Sequence, residues 1–347
     1  MVSTPRESAG KGSFANPARL QIILLLLLAC VSVLSLISGP MDIKAGTVVK
    51  ILLSRVLPLE RGWPETIESV IMDVRLPRLL AGLLIGAGLS ISGAAFQGLF
   101  RNPLVSPHIL GVSAGAGFGA ALAILFFGNI FMVQLLSFCF GLFAVWMTYA
   151  LSRIYRSTPV LMLVLAGIIV GALFSAATSL LKYIADPVNQ MPSIVFWLLG
   201  SLNNASNRDI AVVGPIILAG TVILFLIRWR INLLTMGEED ARALGVDTAR
   251  IRGIIIISAT FISAAAVCIS GIIGWVGLVI PHIGRLLVGA DNKFLLPVAT
   301  LIGAIYLVSV DTIARTAIET EIPIGILTAI VGAPVFAYLL RKSRPGW

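Results

Sequence analysis

Residues 102–152 read NPLVSPHILGVSAGAGFGAALAILFFGNIFMVQLLSFCFGLFAVWMTYALS, 51 residues without a charge between Arg101 and Arg153. A helix rises 1.5 Å per residue and needs about 20 apolar residues to cross about 30 Å of hydrocarbon. This stretch therefore holds two crossings, predicted at 107–127 and 131–152. Similar runs lie on both sides of it: 22 residues between Arg19 and Asp42, 22 between Arg78 and Arg101, and 25 between Arg156 and Lys182. Further uncharged gaps cover 210–227, 253–284, 294–310 and 322–340. The complete set of expected spans is 20–38, 76–98, 107–127, 131–152, 159–183, 210–228, 252–271, 276–290, 294–312 and 322–340.

The chain is 58% hydrophobic and only 12% charged, against about 25% charged in soluble domains. Backbone in lipid must satisfy its own hydrogen bonds, which favours helices. The short alternating segments of a membrane barrel are absent. The expected class is an all-α polytopic membrane protein of about ten transmembrane helices. Residues 1–19 form a polar tail, 20–342 the membrane unit and 343–347 a second tail. The run Ile22–Ile37 follows Arg6, Lys11 and Arg19 as in a signal peptide, but Ser38-Gly39-Pro40-Met41 is a poor cleavage site, so it is read as an uncleaved span.

The net charge is +9, and its placement speaks against nucleic acid: basic residues flank apolar spans and form no stripe with aromatics. With the N-terminus inside, 16 of the 25 basic residues fall on the inner side and 9 outside, while the acids divide 6 inside and 10 outside. That asymmetry follows the positive-inside rule and, with an even number of crossings, places both termini in the cytoplasm. Arg78, Pro107 and His108 recur 174 positions later as Arg252, Pro281 and His282. The echo relates an inward span to an outward one, as inverted repeats do.

The chemistry is sparse. There is no Walker A loop for ATP, no HExxH and no nucleophile elbow. Cys30, Cys139 and Cys268 all lie in apolar spans and read as small hydrophobes. His108 and His282, each beside a proline, read as structural polar groups. No catalytic set lies inside the spans, so an intramembrane enzyme is disfavoured. An ion-coupled carrier needs an ionisable group near mid-membrane, and the nearest, Asp311, sits at a span end. A transporter of this composition draws its energy from a partner. The segment 229–251 offers a grip for one. Within it, Gly237 to Gly245 reads as a short helix with acids Glu238, Glu239 and Asp240 in its first turn, Gly245 as its stop, and Ala241, Leu244 and Val246 facing a partner's groove. A proline at Glu239 is expected to break it. Arg75 and Arg78 flank Pro77 on the outer side, with Arg315 a third outer arginine. Guanidinium groups pair bidentately with carboxylates, so these three are candidates for docking an acidic partner, and charge reversal at Arg75 and Arg78 is expected to leave folding intact. Asn102-Pro103-Leu104 and Ser157-Thr158-Pro159 break the helices at the inner face and are gate candidates.

The stretch RLPRLLAGLLIGAGLSISGAAFQGLFRNPLVSPHILGVSAGAG at 75–117 resembles the FecCD family, the permeases of type II ATP-binding cassette importers for iron–siderophore, haem and cobalamin. GEEDARALGVD at 237–247, GWVGLVIPHIGRLLVGAD at 274–291 and EIPIGILTAIVGAPVFAYLLRK at 321–342 agree with it in order. The resemblance implies a non-catalytic permease in a prokaryotic inner membrane, working as a homodimer by alternating access. It implies two cytoplasmic ATPase subunits, which hold the ATP and Mg, and a periplasmic or lipid-anchored binding protein. This chain then needs no cofactor. Arg75, Arg78 and Arg315 would receive acids of the binding protein. Gly237, Glu238, Glu239, Ala241, Arg242, Leu244 and Gly245 would couple to the ATPase. Asn102, Pro103, Leu104, Val105, Ser157 and Thr158 would form the inner gate, with the fifth span lining the path. MPSIVFWLLGSL at 191–202 resembles iron-chelate and molybdate permeases. An iron–siderophore cargo is expected first, with haem, cobalamin and molybdate or tungstate open.

Overall fold

The computed structural model describes residues 16–58, 60–153, 160–318 and 320–342. The helices in chain order are α1 Pro17–Ile37, α2 Ala45–Leu53, α3 Glu65–Ser69, α4 Leu76–Phe100, α5 Val112–Phe126, α6 Ile130–Ser152 and α7 Val160–Ile184. They continue with α8 Gln190–Leu199, α9 Asn207–Met236, α10 Glu238–Ala243, α11 Thr248–Ser270, α12 Val276–Val288, α13 Asn292–Thr316 and α14 Ile324–Lys342. A π-helical turn, Val70–Arg75, joins α3 to α4, and a 3-10 turn, Pro107–Leu110, precedes α5.

All ten expected spans are helical. Among the described residues, seven helices are long and apolar enough to cross a bilayer, α4 together with the segment leading into it. Of the other three, α5 has 15 residues and α12 has 13, or roughly 20 Å each. Irregular backbone at 101–111 and 271–275 completes those crossings. Sequence reading did not foresee α2, α3 or α8. The apolar run of α8 is only 10 residues, too short for the span criterion, and it lies as a cap over one end. The order long, short, long of α4 to α6 recurs in α11 to α13.

Two helices form the axis. In both α4 and α11, 78% of the apolar window is buried, against 17% in α1 and 28% in α6. Their small residues explain it: Gly, Ala and Ser let neighbouring backbones approach closely where no hydrophobic effect drives helices together. A Cβ on Gly86 would lie 2.3 Å from the Gly303 carbonyl oxygen, and Ser90 Oγ donates to Ala299 O at 2.8 Å. A Cβ on Gly93 would lie 1.9 Å from the Gly277 carbonyl oxygen. These contacts set α4 against α13 and α12.

The same contacts fix direction. Arg78 near the start of α4 meets Asp311 near the end of α13, and Gly98 lies near Asn292, so these helices are antiparallel. Leu24 of α1 packs with Val298, and Ser35 with Arg315, so α1 runs with α13. Charged helix ends are thereby sorted onto two faces. One carries Arg101, Asn232, α10 and Asp291; the other carries Arg75, Asn207, α8 and Glu321.

Gly93→Val should overpack this axis, at a cost of roughly 1–3 kcal/mol or more. The expected outcome is a lower melting temperature and loss of the monodisperse peak in detergent size-exclusion chromatography.

Candidate functional site

Arg75, Arg78 and Arg315 converge on one face, and all three are buried, with 4%, 5% and 6% exposure. The last four carbonyls of a helix lack intrahelical donors, and a guanidinium carries five N–H groups in a fixed fork. Two of the arginines cap α1 in this way. Arg75 Nη1 donates to Leu36 O at 2.7 Å and Ile37 O at 2.6 Å, and its Nη2 to Met41 O at 2.5 Å. Arg315 Nη1 donates to Ser38 O at 2.8 Å, and its Nη2 to Ser35 O and to Ser35 Oγ. Positive charge at a helix C-terminus also opposes the helix dipole. Gly39, at φ +153°, keeps room for them: a Cβ there would sit 2.8 Å from Arg75 Nη2 and 3.4 Å from Arg315 Nη1.

Arg78 instead serves two acids. Its Nε donates to Asp311 Oδ1 at 2.8 Å and Oδ2 at 3.1 Å, and its Nη1 to Glu321 Oε1 at 2.8 Å. Arg315 Nε lies 3.6 Å from Asp311 Oδ2. The cluster ties α4, α13 and the approach to α14 together. Sequence reasoning named the arginines and missed that their partners lie inside the chain. Asp311 four residues before Arg315 was the available signal, but Arg78 is 233 positions from Asp311 and no periodicity connects them. The expectation that charge reversal spares folding is therefore revised, because removing one partner of a buried pair costs about 3–5 kcal/mol.

Beside this face lies a cavity of about 810 Å³. Apolar side chains such as Val133, Phe196 and Trp197 supply most of its wall, interspersed with amides and hydroxyls of Asn129, Gln134, Gln190 and Ser270, and among the described residues Glu321 is its one charged lining residue. Asp186, in the exposed turn before α8, accepts from Asn189 N–H at 2.9 Å, which holds its carboxyl below the usual range. That turn places Gln190 on the cavity wall. Among the described residues no group of three or more His, Cys, Asp or Glu is placed to hold a metal ion.

The opposite face carries α10. Gly237 precedes it at φ +137° and Gly245 ends it at φ +78°. Val246 N–H donates to Ala241 O at 3.0 Å and Gly245 N–H to Arg242 O at 2.9 Å, the paired bonds of a Schellman cap, which needs glycine at this position. Ala241 is fully buried within the chain's own core and Val246 is half-buried against it, so of the three apolar residues only Leu244, at 60% exposure, faces outward. Arg242 Nε donates to Thr248 Oγ1 at 3.2 Å, and Glu239 is exposed. Glu239 occupies the second helical position, where the N–H has no intrahelical acceptor and proline is tolerated. The substitution that breaks α10 is at Gly245.

Near α10, Arg101 ends α4 in the left-handed region at φ 48°. Asn102 Oδ1 accepts from Leu104 N–H at 2.9 Å, forming a tight turn. Asn102 and Leu104 are exposed, Pro103 is half-buried and Val105 is buried. Gln97 holds this turn: its Nε2 donates to Val105 O at 3.1 Å and its Oε1 accepts from Arg285 of α12. Gln97 and Arg285 were not singled out from sequence, where each reads as an isolated polar residue near a span end. Ser157 and Thr158 lie outside the described residues. The two helix breaks meet at the centre: His108 Nε2 donates to Ile273 O at 3.2 Å, Ser113 Oγ donates to His108 Nδ1, and Pro107 lies against Gly277.

Arg78→Glu would set a third carboxylate beside Asp311 and Glu321. It should lower the melting temperature sharply, whereas Glu321→Gln, at the partly exposed rim, should cost about 1 kcal/mol or less of stability and move the melting temperature little. Thermal unfolding in detergent, monitored by tryptophan fluorescence, separates the two. Gly245→Val should destabilise the α10 cap and raise proteolysis between residues 237 and 250 in a limited-trypsin assay.

The profile described as the FecCD transport family matches residues 24–342. The molybdate import system permease protein MolB of Haemophilus influenzae is 43% identical over 324 residues, covering 93% of this chain and 95% of that protein. The cobalamin import system permease protein BtuC of Halobacterium salinarum is 41% identical over 288 residues, covering 83% and 77%. A solved inward-facing structure of an ABC transporter, classed as metal-chelate type, superposes with a TM-score of 0.84 at 41% identity, covering 94% of this chain and 100% of that one.

Proposed function

The chain belongs to the FecCD transport family as an ABC importer permease, and from that premise we propose that two copies of it form a path for a metal chelate through a prokaryotic cytoplasmic membrane. Separate ATPase subunits supply the energy and hold the ATP and Mg; this chain catalyses nothing and carries no cofactor. Residues 1–19 and 343–347 are cytoplasmic tails and residues 20–342 the transmembrane unit.

The observation that carries this reading is the extension of α9 into α10. Thirty residues of α9 span about 45 Å, more than the hydrocarbon of a bilayer. The helix end and α10 project beyond the membrane on the face richer in basic residues. There α10 presents Leu244 on a helix held rigid by its glycine cap. A rigid projection of this kind transmits a partner's displacement into the helices behind it. Gly237, Glu238, Glu239, Arg242 and Leu244 form the coupling surface, with Ala241 and Gly245 fixing its shape. Asn102, Pro103, Leu104 and Val105 form the inner gate next to it; Ser157 and Thr158, outside the described residues, are assigned to the same gate on the family resemblance alone.

Support for a second copy comes from unpartnered apolar faces. Ile168, Leu173 and Leu180 of α7 and Ile330 and Val331 of α14 are exposed. At the opposite face Arg75, Arg78 and Arg315 stand among Asp42, Asp311 and Glu321. The bidentate pairing of guanidinium with carboxylate suits an acid-bearing binding protein. Arg75, Arg78 and Arg315 receive its acids, with Glu321 the carboxylate displaced from Arg78.

The cavity wall, uncharged except at Glu321, supports a path that passes cargo selected elsewhere. A metal chelate of the iron–siderophore kind is the first reading, because a metal-chelate type transporter shares the fold along nearly the whole chain. Molybdate or tungstate is the second, favoured by the full-length likeness to MolB.

In liposomes with its ATPase and binding protein, uptake should require ATP and persist with an uncoupler. Leu244→Asp should lower that uptake about tenfold, the value of a coupling contact of roughly 1.4 kcal/mol. Accumulation by the permease alone under a pH or salt gradient would reject the reading. Calorimetry of the binding protein with a ferric chelate and with molybdate decides the cargo.

A further inference from the structure

Between the first turn of α1, the last third of α9 and the start of α13 lies a cleft of about 460 Å³. Gln21, Phe225, Arg228, Lys293, Phe294 and Pro297 line it. Its chemistry is divided by depth. Two cations sit at the level where the apolar spans begin and end. Lys293 is the second residue of α13, and Arg228 follows 21 residues of α9, about 31 Å from its start. Gln21 lies one turn into α1. Below them the walls are aromatic and proline, continuing into side chains that face lipid: Ile22 and Leu26 of α1 and Val222 and Leu226 of α9, all more than half exposed.

Among the described residues neither Arg228 nor Lys293 forms an ion pair. Lys293 Nζ rests 5.5 Å from the centre of the Phe294 ring. Asp291, the acid nearest in sequence, is already engaged: its Oδ1 accepts from Lys293 N–H at 2.8 Å and Asn232 Nδ2 at 2.6 Å. A bare topology charge needs no cleft and no apolar floor. Here two cations, a polar amide and an apolar floor open towards the acyl region.

We propose that this cleft is a binding site for one anionic phospholipid of the inner leaflet, with Arg228 and Lys293 on the headgroup phosphate and the acyl chains along α1 and α9. The negative charge of that leaflet supplies the ligand, and basic pockets between helices at this depth suit it. A lipid there would bridge the peripheral helix α1 to α9 and α13 across a gap that protein atoms do not fill. The assignment to the inner leaflet rests on the sidedness given under Proposed function; the site itself does not.

Native mass spectrometry of the full-length protein in detergent, titrated with dioleoylphosphatidylglycerol and with dioleoylphosphatidylcholine, tests it. The wild type should retain one phosphatidylglycerol per chain in preference to phosphatidylcholine, and inorganic phosphate should not displace it. Arg228→Gln with Lys293→Gln should weaken phosphatidylglycerol retention about 25-fold, and Lys293→Gln alone, at an exposed position, about fivefold. Arg230→Gln, outside the cleft, should change nothing. Equal retention by the double variant and the wild type would overturn the site, as would an equal loss with Arg230→Gln, which indicates diffuse attraction. Retention by the isolated permease that vanishes when the ATPase subunits are bound would assign the cleft to that protein contact instead. Reaction of a cysteine placed at Ala18 with an impermeant reagent from outside, with retention intact, supports the site and overturns only its leaflet.

Discussion

Unpaired backbone polar groups in hydrocarbon cost several kcal/mol each, and this chain breaks two of its helices inside the membrane. The stretches 101–111 and 271–275 leave α5 and α12 too short to cross alone. The fold answers by packing the buried part of the first break, from Val105 to Leu110, against the second. His108 reaches the carbonyl of Ile273, Pro107 sits on Gly277, and Gln97 satisfies Val105 from inside α4. The run of glycine, alanine and serine in α4 lets three backbones come close enough for this. The buried axis of α4 and α11 is thus a consequence of where the irregular backbone had to be hidden.

The same need governs the helix ends. α1 packs against α13 along one side and is exposed along the other, and its C-terminal carbonyls take donors from elsewhere. Arg75 and Arg315 provide them, and Asp311 holds Arg315 beside Arg78. The arginines of the RLPR segment consequently have a structural duty as well as the docking duty proposed for them. Docking that draws on them must exchange one set of partners for another, and Glu321, on the loop before α14 and partly exposed, is the partner with least to lose. Exchange at Glu321 would connect the proposed docking face to α4, α13 and the approach to α14.

At the other face, helix caps define the backbone around the proposed coupling surface. α9 overshoots the bilayer, the Schellman cap fixes α10, and Asp247 caps α11 immediately afterwards. On the coupling role proposed for Leu244, motion there would pass to α9 and α11, one of which is part of the axis. The turn at Asn102–Val105 lies next to that entry point. Its anchor, Gln97, also binds Arg285 of α12, so the two helix breaks and the inner turn form one connected element.

Much of this was legible in the residues themselves. Uncharged runs of about 20 residues can settle only in lipid, so ten spans and their order followed from composition, and Gly245 announced a helix end because φ +78° excludes most other residues. The RLPR and GEEDARALGVD segments lie on opposite faces of the fold, where the docking and coupling roles are proposed. What the tertiary structure alone decided is the company each residue keeps. Arg78 meets Asp311 across 233 positions, Ala241 turns into its own core while Leu244 turns out, and Arg228 and Lys293 come to share one cleft. A one-dimensional pattern encodes the free energy of transfer into lipid, which each segment possesses by itself. Pairing depends on which helices pack, and that is settled only when all the small-residue faces compete for the same close contacts.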